Sequence, residues 1–324
     1  MKINKKIIKT IKNAKHIALF THASPDGDAI GSSFALKYAL EKLSKKVSLF
    51  IEEIPDNFSF LNLTDYKTAF DYNNYDLFIS VDVSESHLLG KFESEFLNFN
   101  STLSVDHHYN RNSFAKQEVV ESCCSSNAEI IYYLIKDLKV KLDDNIASLL
   151  YIGVATDTGC FLYSNTNGLT HYVASELLNY NVNLALIHKK LFQTSSLDKF
   201  KLTQLVYNNY ECYEDFIFVV LDSKILNASK IEDIHSYNLA NILLELENMN
   251  FACIALEKTS GEFKMSFRSN FCYDCSKLAN AFGGGGHKQA AGALYKGTKD
   301  MLKKKLIKEY KSGKTRDWWC SSLK

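Results

Sequence analysis

The sequence predicts an α/β protein of two domains, an N-terminal doubly wound parallel sheet followed by a smaller C-terminal α/β domain. Three observations predict it. A chain of 324 residues is too long for one ordinary core. Its first half alternates short β-branched or aromatic runs with amphipathic segments, the pattern of a parallel sheet covered by helices. Its acidic and histidine residues gather at the ends of the predicted strands, where open α/β sheets put their ligands.

In order along the chain, strands are expected at 16–21, 46–52, 76–83 and 102–106, with a helix over 29–43. Apolar spacing turns helical over 126–138 and 145–155, and Asp157 and Gly159 then break the pattern into an exposed turn. The stretch 186–210 is polar and helical without turn residues, which suits a linker helix between lobes. Strands follow at 216–221, 251–257, 262–268 and 290–295, with helices between them. The expected division is therefore 1–188, a linker at 189–212, and 213–324, with the active site in the cleft between the lobes. There is no internal repeat or low-complexity tract, and the Trp318-Trp319 segment receives no role.

Composition narrows the function. With 46% apolar and 23% charged residues the chain has enough hydrophobic surface for two cores, and disorder is excluded as the default. A formal charge of +1 provides no general field for a long polyanion, so nucleic-acid contact should be local and short. The basic start contains a dense apolar run only at 17–20, too short for a signal-peptide core, and no stretch is long enough to span a bilayer. A cytoplasmic protein without membrane contact is expected. Of the eight cysteines only Cys272 and Cys275 form a C-x-x-C pair, and with no second pair to complete a zinc site they receive no function.

The informative segment is THASPDGDAIGSS at 21–33, between a strand and a helix. His22, Asp26 and Asp28 crowd into one loop, while Pro25 and Gly27 supply the fixed and permissive backbone angles of a tight turn. P-D-G alone is ordinary turn chemistry. Three further sites change the balance, each after an apolar run: Asp82 in ISVDVS, Asp106-His107-His108 in LSVDHH, and Asp157 in ATDTG. Taken singly, each could be an N-cap aspartate or a satisfied core histidine. Together, so many carboxylates at one sheet edge would repel one another unless cations neutralise them. Mixed carboxylate and imidazole donors suit Mn²⁺, Mg²⁺, Fe²⁺ or Co²⁺, with Mn²⁺ the first choice.

In the second domain, Gly283 to Gly286 followed by His287 offers a backbone that can approach an anion, with an imidazole beside it. A glycine run alone is usually a flexible loop; here a predicted helix precedes it and a histidine ends it. Arg268, at a strand end beside Ser269, presents a planar fork suited to phosphate, or else a solvated charge.

The motifs HASPDGDAIGS, VDVSE, VDHH, LLYIGVATDTGCFLYSNT, RS at 268–269 and FGGGGHKQAAGA at 282–293 resemble, in order and over nearly the whole chain, the DHH phosphoesterases with a C-terminal DHHA1 domain, most closely their NrnA-like nanoRNase and pAp phosphatase group. The resemblance implies one metal on His22, Asp26 and Asp82 and a second on Asp28, Asp82, His107 and Asp157, with Asp82 bridging. It implies that Asp106 orients a neighbouring histidine and that His108 faces the substrate phosphate, which makes Asp82, Asp106, His107 and His108 the catalytic set. Arg268, Ser269, Gly284, Gly285, Gly286 and His287 would hold substrate. The implied reaction is in-line attack of hydroxide on phosphorus at two divalent ions. Implied substrates are short 5′-phosphorylated RNA and 3′-phosphoadenosine 5′-phosphate (pAp), with cyclic dinucleotides or linear pApA and pGpG as the enzymatic alternative. An inactive nucleotide-binding module is the alternative of another class. Glu85 stands where relatives commonly have aspartate, which removes no ligand. Monomer and homodimer both stay open.

Overall fold

The computed structural model describes residues 1–109, 111–231, 239–270 and 273–312, and for His287 the backbone alone. Cys272 and the Trp318-Trp319 segment therefore lie outside the described residues. The chain divides into two compact units, Met1–Thr194 and a second from Ser195 onward.

The first unit runs α1 (Lys5–Asn13), β1 (His16–Phe20), α2 (Gly27–Glu41), β2 (Lys46–Phe50), β3 (Leu77–Val81), α3 (Glu93–Leu97), β4 (Thr102–Asp106), β5 (Gln117–Val120), α4 (Asn127–Asp137), α5 (Asp144–Asp157), α6 (Gly168–Leu177) and α7 (Leu184–Phe192), with 3₁₀ turns at Asp56–Leu61 and Ser86–Phe92. Its sheet has the order β2-β1-β3-β4-β5 with every pairing parallel. Such strands are covered on both faces and read as unbroken apolar runs, and β3 and β4 are buried throughout. Alternate residues of β1 serve different layers. Ile17 and Leu19 join the helical core with Ile30, Phe34, Ile131 and Leu150. Ala18 and Phe20 face an aromatic layer with Phe50, Phe78, Phe92 and Phe96.

Several elements escaped the sequence reading, α1 and β5 among them. The lysines of α1 hide an apolar stripe, Ile3, Ile7 and Ile11, spaced one helical turn apart and buried. Strand β5 is short and buries only Val119, as an edge strand can.

Helices α2 and α5 touch backbone to backbone. A Cβ at Gly31 would stand 2.3 Å from the Leu149 carbonyl oxygen, and one at Gly153 would stand 2.6 Å from Ala128 Cβ and 2.7 Å from Asp28 Oδ1. A carbonyl inside a helix cannot move aside. Gly31→Ala is therefore expected to cost roughly 1–3 kcal/mol through overpacking, read as a lower thermal midpoint by calorimetry; an unchanged midpoint would refute this packing.

The second unit runs α8 (Leu197–Asn208), β6 (Tyr210–Tyr213), β7 (Phe216–Leu221), α9 (Ser223–Ser229), α10 (Ala240–Leu243), β8 (Phe251–Thr259), β9 (Glu262–Ser269), α11 (Cys275–Ala281), β10 (Gly285–His287), β11 (Ala290–Lys296) and α12 (Lys299–Lys311). Its sheet has the order β10-β11-β9-β8-β7-β6 and is mixed, with only β7 and β8 parallel. The single helix expected over 186–210 is two helices. They are separated by residues 193–196, of which Ser196 caps α8, its side chain accepting from Lys199 N–H. Leu202 and Val206 of α8 then pack with Ile217 and Val219 in the core of the second unit.

Asp215, between β6 and β7, ties this unit together. Its carboxylate accepts from the hydroxyls of Tyr273 and Tyr310 and from Asn250 Nδ2 at 3.2 Å. Burial pushes this carboxyl up, and the hydrogen bonds outweigh it and hold the group below its ordinary value. A depressed folded value gives stability that is present above the unfolded value, about 3.9, and is lost as pH falls through the folded one. Asp215→Asn should cost about 1.5–3 kcal/mol at neutral pH, a difference that shrinks as pH falls from 6 to 3. Denaturant titrations across that range check it, and a gap independent of pH would count against the charged role. Among the described residues, no helix is long and apolar enough to cross a membrane.

Candidate metal centre

The carboxyl ends of β1, β3 and β4 and the C-terminus of α5 converge on one group of acids and imidazoles. After β1 the chain passes His22 and reaches Asp26, which caps α2, its Oδ1 accepting from Asp28 N–H and Ala29 N–H, both 3.0 Å. Gly27 has to be glycine, because a Cβ there would meet the Thr156 side chain at 2.4 Å. That close approach lays the loop against the end of α5, which carries Asp157. Asp28 is buried, and its carboxylate accepts from Asn127 N–H at 2.5 Å and Ala128 N–H at 2.9 Å at the start of α4.

Asp82 follows β3 with φ +62°, a left-handed conformation that aspartate tolerates better than most residues. Its N–H donates to the Val105 carbonyl at 2.9 Å, and its buried Oδ1 has no hydrogen-bond partner among the described residues. His107 Nε2 lies 3.5 Å from Asp157 Oδ2, 3.6 Å from Asp82 Oδ1 and 3.9 Å from Asp28 Oδ2.

Three sets of donor atoms lie within 4.8 Å of one another and could hold a metal ion: His22, Asp26 and Asp82; Asp28, His107 and Asp157; and Asp82, His107 and His108. Asp82 and His107 each belong to two of them. The protonation of the cluster fits the same chemistry. Burial first, and the neighbouring acids second, push Asp28 up to about 8, Asp157 up to about 7 and Asp82 well above the usual carboxylate range. Burial likewise lowers His22. An orphaned carboxylate oxygen among mutually repelling buried acids is the environment a divalent cation relieves.

Asp106 belongs to none of these sets. Buried completely, it accepts at Oδ1 from His108 Nδ1 at 2.7 Å and from His107 N–H at 2.9 Å. Burial raises the Asp106 carboxyl, but the His108 hydrogen bond and the nearby Arg111 charge hold it below its usual value; the same hydrogen bond raises His108. Sequence reasoning missed several supports of this group. The buried Asn127 amide, with its nitrogen toward the Val105 carbonyl at 3.2 Å, accepts from Ser32 Oγ and Asp82 N–H, both 3.3 Å. Asn165 Nδ2 donates to the Asp157 carbonyl at 3.1 Å and to the Ser125 carbonyl at 2.9 Å, joining two turns. Arg111 was missed as well. The only available signals were an asparagine after two serines and another in the middle of an SNT run, which are as common in plain turns.

The residues predicted in the second unit occupy one end of β9, β11 and β10. Arg268 pairs with Ala290, and Ala290 with His287, in one register row; the His287 side chain lies outside the described residues. Arg268 Nη1 donates to the Phe267 carbonyl at 2.7 Å. Ser269 is buried and donates to the Tyr273 carbonyl at 2.9 Å. The glycine run follows α11, as expected, and is not a free loop. Gly283 turns the chain at φ +72°, and Gly285 and Gly286 then form an edge strand. Packing demands glycine here, since a Cβ at Gly284 would stand 2.1 Å from the Gly292 carbonyl oxygen.

A parallel α/β sheet with carboxylates and imidazoles gathered at its carboxyl edge defines a class of protein with a cluster able to hold metal ions. Residues 16–154 match the DHH family, N-terminal domain, and residues 219–312 match the DHHA1 domain. The two matches together span well over half of the chain, which belongs to the DHH family of phosphoesterases that carry a DHHA1 domain. The chain is similar to the bifunctional oligoribonuclease and PAP phosphatase NrnA of Mycoplasma pneumoniae, 28% identical over 91% of this chain and 92% of that protein. It is 29% identical to the NrnA of Thermus thermophilus over 92% and 89% of the two chains. A crystal structure of an exopolyphosphatase-related protein from Bacteroides fragilis superposes with a TM-score of 0.84 at 26% identity, covering 96% of each chain.

Proposed function

We propose that this protein hydrolyses short 5′-phosphorylated oligoribonucleotides to mononucleotides and pAp to AMP, using two divalent ions, Mn²⁺ by preference. His22, Asp26 and Asp82 would hold one ion, and Asp28, Asp82, His107 and Asp157 the other. The observation that carries the reading is a pair of adjoining donor sets, His22, Asp26 and Asp82 beside Asp28, His107 and Asp157, with His107 Nε2 3.6 Å from the Asp82 oxygen that has no hydrogen-bond partner among the described residues. The substrates come from the relatives, which are named for these two activities.

When bound, the ions would neutralise the acids, ease ionisation of water near neutral pH and take up negative charge on the phosphate. The chain's own residues do the rest. His108, its Nδ1 engaged by Asp106, keeps Nε2 for a phosphate oxygen or for a proton of the leaving group. Arg268 is the proposed phosphate fork of the second unit, with His287 on the same register row. A cytoplasmic setting goes with this reading.

The test offers pAp, 5′-phosphorylated RNA of two and three nucleotides, pApA, pGpG and cyclic di-AMP to purified protein with Mn²⁺, reading products by chromatography. Turnover of pAp and the short RNAs is expected. Preference for a cyclic or linear dinucleotide second messenger would move the substrate assignment, and no turnover with any divalent metal would make the protein a binding module.

A further inference from the structure

Arg111 was not singled out from the sequence, yet it pairs with two carboxylates beside the centre. Its side chain is 9% exposed, and its Nε forms an ion pair with Asp106 Oδ2 at 3.0 Å without the alignment of a hydrogen bond. Its Nη1 and Nη2 each donate to a Glu118 carboxylate oxygen at 3.0 Å, and Nη2 also reaches Ser104 Oγ at 3.3 Å. Glu118 stands on β5, opposite Ser104 in the β4–β5 register. The guanidinium thus bridges the two carboxylates, paired with both oxygens of one and a single oxygen of the other.

We infer that Arg111, braced by Glu118, is a positioning residue for His108 and acts through Asp106. The inference rests on the hydrolase reading above. A buried carboxylate needs a counter-charge, and a planar guanidinium locked by its fork on Glu118 holds that charge at a fixed place beside it. With the Arg111 charge beside Oδ2, Oδ1 accepts from His108 Nδ1, from His107 N–H at 2.9 Å and from His108 N–H at 3.4 Å. The direction of the His108 ring is then set by a chain that ends on edge strand β5. Lysine could supply the charge but not the fork, so Arg111→Lys should fail to replace it.

A merely structural Arg111 would tie β4 to β5 and affect stability alone. The test compares wild type, Arg111→Met, Asp106→Asn and the double variant as full chains with saturating Mn²⁺, at a temperature where all are folded. Expected is a fall in kcat of about 10–100-fold for Arg111→Met with KM within about threefold, and little further loss when it is added to Asp106→Asn. Glu118→Gln, which keeps shape and removes less, should shift kcat the same way by a smaller factor. Loss of thermal stability at unchanged kcat, or full multiplication of the two single effects in the double variant, would overturn the inference. A readout independent of turnover is the imidazole ¹⁵N spectrum of the metal-free chain. The hydrogen-bonded Nδ1 signal of His108 should be altered in Arg111→Met, and an unaltered signal overturns the brace. Wild type without turnover, but with that signal sensitive to Arg111, would sink the proposed function and leave the brace standing.

Discussion

Asp82→Asn should lower kcat by on the order of 10³-fold or more at saturating Mn²⁺, the scale of losing a principal electrostatic contact in an active site. Asparagine is the right probe for three reasons. It matches aspartate in shape, it tolerates the left-handed conformation that Asp82 adopts at φ +62°, and it removes only the charge. Alanine at that φ would add backbone strain to the loss and blur the result. The same substitution removes one member of a buried acidic group, so the metal-free variant should melt higher than metal-free wild type at pH 8 by a few degrees. Lower activity combined with higher metal-free stability is a signature that misfolding does not produce. Near-normal kcat in Mn²⁺ would rule out a shared ligand role for Asp82.

Metal binding should have the second large effect, on stability. At a free concentration 1,000 times the dissociation constant, a ligand of the native state adds about 4 kcal/mol. For a unit of this size that corresponds to a shift on the order of 10 °C. Its pH dependence has a definite sign. Asp28 is raised to about 8 and Asp157 to about 7, and a group whose folded value is raised contributes stability that is fully present below its unfolded value and lost as pH rises through the folded one. Metal-free protein should therefore lose stability between about pH 4 and pH 8. Ions require the ionised ligands, so the increment from Mn²⁺ should be small at pH 5 and largest at pH 8. Calorimetry with Mn²⁺ and with chelator at several pH values checks this; two parallel curves would argue against ligation by these acids.

Much of this centre was legible because chemistry and fold announce it together. Asp82 and Asp106-His107-His108 each end a buried apolar run, and a parallel sheet brings the ends of its strands to one edge. The supports were harder to read, since each depends on a partner distant in sequence or on an element too weak to register. Arg111 sits among N-R-N-S, which reads as a surface loop, and its partner Glu118 lies on a strand with one buried side chain. Asn127 acts through Asp82 and Ser32, which no spacing rule connects to it. The glycine run was legible only through its context. Its composition reads as a flexible loop, whereas the close approach of Gly284 to Gly292 makes part of it a packed strand edge. Helix α1 was overlooked because lysine outnumbers isoleucine on it, although three isoleucines one turn apart decide its packing.

The layer of stacked phenylalanines on one face of the first sheet has a spectroscopic consequence. Phe20 and Phe50 stack at 5.1 Å, with Phe78, Phe92 and Phe96 around them, while the chain's two tryptophans, Trp318 and Trp319, are both far along the sequence in the second half. The half of the protein that carries the acids and imidazoles is thus dark to tryptophan emission. Its own signals are tyrosine emission and the near-ultraviolet dichroism of its packed rings, since excitation at 295 nm selects Trp318 and Trp319, which belong to the other half of the sequence.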